Sequence, residues 1–199
     1  MQGITLWFTG LPCSGKTTIA KKLIRSIRQL GFFLEPFDEG LRVEHLDGDN
    51  IRRGLTADLG FSKEDRRKNL ERVAFVAKLL TKHGVVVLCT FVSPYKDTRK
   101  WLKQEIGSFV EVYCDCSVEE CIKRDVKGMY AKAIKGEIKE FTGISDPYEV
   151  PKKPDLVINT EKESEDDCVK KVLDYLVKKI CDQEQQKLLS ENHKLCKCT

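Results

Sequence analysis

"FTGLPCSGKTT", residues 8–18, sets two glycines around four other residues and follows them with a lysine and two threonines. Gly10 to Thr17 is a complete G-x4-G-K-[ST] phosphate-loop pattern. Before it lies "ITLWFTG", a short apolar run. After it, "TTIAKKLIRSIRQLG" spaces Ile19, Ala20, Leu23, Ile24, Ile27 and Leu30 at helical period and stops at Gly31. Strand, loop and helix together give the pattern its meaning. Glycines let successive main-chain N–H groups and the helix N-terminus surround a polyphosphate, and a side chain at Gly15 would obstruct that approach. Gly10, Leu11, Pro12, Cys13, Ser14, Gly15, Lys16, Thr17 and Thr18 are therefore expected to bind the nucleoside triphosphate. Lys16 is expected on the β- and γ-phosphates and Thr17 on Mg²⁺. The loop predicts a nucleoside triphosphate and leaves its acceptor open.

The rest of the chain repeats the alternation. Strands are expected at "RVEHLDGDN", "VVVLCTFVS", "FVEVYCDCS" and "DLVINT". A helix starts at Ser62, with Leu70, Val73, Ala74, Ala77 and Leu80 as its buried stripe, and closes at Gly84. Ser117 opens another, and Val169, Val172, Leu173, Leu176, Val177 and Ile180 mark a closing one. The fold class that follows is α/β, a three-layer P-loop NTPase fold with a mostly parallel sheet. Residues 128–154 break the rhythm with glycines, prolines and mixed charge and are read as a mobile lid. One P-loop domain is expected to span residues 1–181, and residues 182–199 to form a polar C-terminal tail that frays.

Among 199 residues, 35 basic against 31 acidic leave a net charge of +4, with none of the basic excess of a nucleic-acid-binding domain. No stretch reaches the ~18 apolar residues of a membrane span, and the first residues lack a signal-like n-region, so no membrane and a cytoplasmic location are expected. Nine cysteines without a framework spacing read as reduced thiols.

For the acceptor the informative stretch is "LDGDNIRRGLTADLGFSKEDRRKN", residues 46–69. Asp47 and Asp49, at a strand's end, suit orienting or deprotonating a hydroxyl, or holding a metal's waters. Arg52, Arg66 and Asn69 offer hydrogen bonds to an anionic acceptor, and Phe61 a surface for a base. A solvated charged loop with one core phenylalanine is the competing reading of the same residues.

This stretch, with "FTGLPCSGKTT", "VSPY", "RDVKGMY" and "GEIKEFTGISDPYEVPKKP" in order, resembles the adenylyl-sulfate kinase (APS kinase) family from about Ile4 to Ile158. The resemblance implies phosphorylation of the 3′-hydroxyl of adenosine 5′-phosphosulfate by ATP, Mg²⁺ as cofactor, a homodimer and a possible functional link to a sulfurylase. It also implies roles: Asp49 on the hydroxyl, Arg52, Arg66 and Asn69 on the phosphosulfate side, and Phe61 and Phe141 around the adenine. Ser93 near the phosphates and Lys127 at the start of the lid complete the set, with Lys16 and Asp49 as the catalytic pair. Three features depart from the family pattern: Ile134 stands where an arginine is usual, Thr98 where an aspartate is usual, and the link of residues 31–45 is longer. A kinase of another anionic nucleotide, or a nucleotide-binding module without catalysis, are the alternatives. Cys13, Cys114, Cys116, His45, His83, Trp7 and Trp101 read as structural, and His193, Cys196 and Cys198 as part of the tail.

Overall fold

The computed structural model describes residues 3–31 and 41–195, so the long link falls largely outside the described residues, as do Cys196 and Cys198. β1 (Ile4–Thr9) runs into the phosphate loop and α1 (Lys16–Gly31), and β2 (Val43–Asp47) into the short α2 (Gly48–Arg53). α3 (Lys63–Lys82), β3 (Val86–Thr90), α4 (Lys96–Ile106) and β4 (Phe109–Asp115) follow. Then come α5 (Val118–Arg124), α6 (Met129–Ile134), β5 (Leu156–Asn159) and α7 (Glu165–Leu195).

The five strands are parallel, in the order β2-β3-β1-β4-β5. β1 and β3 are buried at every position, as central strands covered on both faces must be. On one face Leu6, Phe8, Leu23 and Ile27 pack with Val172 and Leu176, joining α1 and α7 to the sheet. On the other, Trp7 stacks between Phe91 and Phe109, with centroids 5.3 and 5.9 Å away, beneath Val73, Ala77 and Leu102 of α3 and α4. Each such side chain contributes about 1.5–3 kcal/mol by leaving water, and together they fix the three layers. A third cluster, Leu11, Cys116, Cys121, Tyr130, Ala133 and Phe141, joins the phosphate loop to α5, α6 and the segment beyond.

Ser62 and Ser117 cap α3 and α5, accepting from the Asp65 and Glu120 amides. Three features depart from the sequence expectations. Asp49 lies in the first turn of α2 rather than on the strand, because the Asp47 carboxylate accepts from the amides of Asp49 and Asn50 and starts a helix there. The segment expected as a lid contains α6. The closing helix continues through Leu195 rather than stopping near 181, because "QEQQKLLSEN" is polar but made largely of good helix formers. Among the described residues no helix is long and apolar enough to cross a membrane.

Candidate active site

The sheet order reverses at β1, with β3 and β2 on one side and β4 and β5 on the other, and the phosphate loop springs from that strand's carboxyl end. The loop's path depends on glycine. A Cβ on Gly10 (φ 151°) would lie 2.7 Å from the Cys114 carbonyl oxygen, and Gly15 has φ 84°. Cys13 takes a left-handed φ of 62° and is half-buried. Leu11 and Ser14 are buried, Pro12 is half-buried and Thr18 is exposed. Lys16 is buried, its ammonium donating to the Gly10 and Leu11 carbonyls at 2.9 and 2.6 Å and to Ser14 Oγ at 3.3 Å. Burial pushes its pKa down.

Thr17 Oγ1 donates to Asp47 Oδ2 at 2.9 Å, and Thr90 Oγ1 donates to the same oxygen at 3.0 Å. Burial raises the Asp47 pKa, but the hydrogen bonds from Thr17 and Thr90 outweigh it, and the carboxyl lies below its ordinary value. Asp47 thus joins the ends of β2 and β3 to the first residues of α1. The other Asp47 oxygen caps α2 and so fixes Asp49.

Beyond this cluster the side chains are more exposed. Asp49 pairs with Lys127, 78 residues away, both more than half exposed. Arg52 lies 4.3 Å over the Phe61 ring and donates to the Gly60 carbonyl at 2.8 Å. Burial and the neighbouring Arg66 charge hold the Arg52 pKa down. Arg66 donates through Nε to the Phe61 carbonyl at 2.7 Å, through NH1 to Thr142 Oγ1 at 2.8 Å, and through NH2 to the Glu140 carbonyl. It therefore ties Phe61 to the residues on either side of Phe141. The two rings differ: Phe61 is 56% exposed, whereas Phe141 is buried edge-on against Tyr130 at 4.9 Å. Asn69 is also buried, its amide oxygen taken by Thr56 at 2.7 Å, so it braces the α2–α3 turn. Ser93 Oγ accepts from the Trp7 indole at 2.9 Å.

The structure links Thr17 through Asp47 to Asp49 and Lys127, and Arg52 and Arg66 to Phe61 and the residues flanking Phe141, whereas Ser93 and Asn69 bond to Trp7 and Thr56 instead. Sequence reasoning gave Asp47 and Asp49 the same alternatives, a hydroxyl or a metal's waters, and did not foresee that Asp47 binds Thr17 and Thr90 and caps α2. Thr90 and Arg99 were missed altogether. The arrangement offers a phosphate cradle, an oxygen pair beside it, and a carboxylate and cations one helical turn away.

The adenylylsulphate kinase family model matches residues 2–159. An adenylyl-sulfate kinase of Halothermothrix orenii is 49% identical over 178 residues, 89% of this chain and 91% of the relative. A probable adenylyl-sulfate kinase of Pseudomonas aeruginosa is 52% identical over 86% of this chain and 76% of its own. Among solved structures, a Mycobacterium tuberculosis APS kinase in complex with AMPPNP and APS superposes with a TM-score of 0.78. It is 42% identical and aligns over 88% of this chain and 98% of that one. A hexameric APS kinase from Thiobacillus denitrificans matches at a TM-score of 0.65 and 32% identity, over 89% of this chain and 29% of its own. With its parallel five-stranded sheet, its complete phosphate loop and relatives of this closeness over most of its length, the chain belongs to the adenylylsulphate kinase family.

Proposed function

We propose that the protein transfers the γ-phosphoryl group of ATP to the 3′-hydroxyl of adenosine 5′-phosphosulfate, releasing ADP and 3′-phosphoadenosine 5′-phosphosulfate. The observation that carries this reading is the Asp47 junction. One carboxylate binds Thr17 beside the phosphate loop and starts the helix bearing Asp49, so donor and acceptor groups are positioned by a single residue.

Phosphoryl transfer has a loose transition state, and positioning and charge neutralisation do most of the work. Lys16, now folded onto its own loop carbonyls, swings its donors to the β- and γ-phosphate oxygens. Anionic phosphate oxygens in place of carbonyls favour its charged form, against the burial that lowers its pKa. The Thr17 hydroxyl and Asp47 carboxylate, 2.9 Å apart, are an all-oxygen pair suited to a hard divalent cation, directly or through water. Bound there, Mg²⁺ supplies neutralisation of the triphosphate. Asp49 orients the acceptor hydroxyl and takes its proton, once Lys127 leaves it for phosphate. Arg52 and Arg66 retain unused N–H donors for the phosphosulfate, while Asn69 supports them from below. The adenine lies against Phe61, with Phe141 on the other side when residues 128–154 close as a lid. Ser93 stays near the phosphates. The kinase unit spans residues 1–181, and we infer a homodimer working in the cytoplasm, with a sulfurylase as the source of its acceptor.

The test is ADP release with ATP and Mg²⁺ while adenylyl sulfate is titrated. Saturable release dependent on adenylyl sulfate supports the reading. Release that ignores adenylyl sulfate but follows another nucleotide sinks it.

A further inference from the structure

Arg99 is buried, with 4% of its side chain exposed, and nothing in the proposed chemistry uses it. Its guanidinium donates in three directions: Nε to Glu111 Oε1 at 2.9 Å, NH1 to the Ser93 carbonyl at 2.6 Å and NH2 to the Glu149 carbonyl at 2.5 Å. These acceptors belong to three separate parts of the molecule: β4, the turn after β3, and the stretch by which residues 128–154 return to the sheet. The Tyr148 ring lies 5.7 Å from the guanidinium.

The same joint is closed by other bonds. The Glu149 amide donates to the Pro94 carbonyl at 2.9 Å, and the Glu149 carboxylate accepts from the Lys96 amide at 2.7 Å. Tyr148 Oη and Thr9 Oγ1 are 2.9 Å apart, and Tyr95 Oη donates to Asp146 at 3.0 Å. Thr9 immediately precedes the phosphate loop and also donates to the Val92 carbonyl at 2.7 Å. The opposite end of the segment is built differently: Val126 is 83% exposed, Gly128 has φ 64°, and Lys127 is held by an exposed ion pair. Ser93, moreover, is a non-glycine residue at φ 46°. That conformation persists only where its surroundings enforce it, and Arg99 holds its carbonyl.

We propose that Arg99 is a positioning residue for phosphoryl transfer. It fastens the returning end of the lid to the Ser93 turn, so lid movement is confined to the stretch ahead of that joint, where Lys127 and the buried Tyr130 and Phe141 must exchange partners, and Ser93 keeps its strained conformation. This rests on the reading of residues 128–154 as a lid over the acceptor.

Two variants and one measurement on the unaltered protein test it. Arg99→Lys keeps a cation for Glu111 but lacks the planar fork needed for two further carbonyls. It should lower kcat/KM for adenylyl sulfate about 10-fold or more, leave affinity for an ATP analogue within twofold, and speed amide exchange at Lys96 and Glu149. Glu111→Gln leaves both carbonyl bonds in place and should lower the melting temperature with kcat/KM within twofold. If both variants lose stability and neither changes kcat/KM, Arg99 only supports the fold and the proposal is overturned. In the unaltered protein, adding the ATP analogue and adenylyl sulfate should change exchange across residues 127–140 and leave the Lys96 and Glu149 amides slow. Equal change at both ends overturns the proposal whether or not the variants fold. An unaltered protein with no turnover of adenylyl sulfate would sink the functional reading, while the exchange pattern with the ATP analogue still decides where the segment pivots.

Discussion

The halves of the site proposed for donor and acceptor are built by different means. Around the phosphate loop the candidate groups are main-chain amides and buried side chains: Ser14, Lys16 and Asp47 are all buried, and each is held by several bonds. On the proposed acceptor side Asn69 and Phe141 are buried, but Asp49, Phe61 and Lys127 are all more than half exposed and touch one another or Arg52 rather than the core. Rigid backbone suits a ligand whose shape is fixed. Exposed side chains in exchangeable pairs suit a second ligand that must be admitted and then enclosed.

Removing a donor-side group should therefore damage turnover most. Lys16→Ala is expected to lower kcat by about 10³-fold, since preorganised charge at the transferring group carries much of the rate; steady-state ADP release measures it. A fall of less than tenfold would break the contrast. Next comes Asp49→Asn, with kcat down about 100-fold, at the low end for general bases because the transition state is loose, and with ATP KM unchanged. A third substitution sharpens the division between the halves: Phe61→Ala should raise KM for adenylyl sulfate about 10-fold, as loss of one base–aromatic contact implies, and leave ATP KM alone. An equal rise for both substrates would show that the halves are not separable.

The smallest effect concerns pH. Burial holds His45 below its ordinary value of 6.5, against the pull of Asp47, and its ring nitrogen lies 3.1 Å from Thr90 Oγ1. The folded state binds the proton less readily than the unfolded one, so its contribution to stability is present above pH 6.5 and fades as pH falls through the lower folded value. The melting temperature should drop by about 2 °C between pH 7 and 5.5 on this account, and His45→Gln should flatten that slope.

The donor half was legible in the sequence because its determinants are local. Pattern, strand and helix are contiguous, and Ser62 and Ser117 announce the helices they cap. α4 gave no such signal: its buried positions are Thr98, Arg99, Leu102 and Ile106, so half of its inward face is polar and hides the apolar stripe. α2 has no buried residue at all and exists because Asp47 caps it. The Asp49–Lys127 pair and the reach of Arg66 to Glu140 and Thr142 span more than 70 residues of chain. No spacing rule predicts such meetings, and only the family resemblance pointed toward them. Asn69 shows the limit of that help, since the fold spends its amide oxygen on Thr56.

Asp47 is shared property. Whatever attracts the Thr17 hydroxyl away from it alters the electron-rich partner of Thr90 and the cap on which the helix of Asp49 begins. The bonds at one carboxyl group therefore link the residue after the phosphate-loop lysine to the turn that carries Asp49.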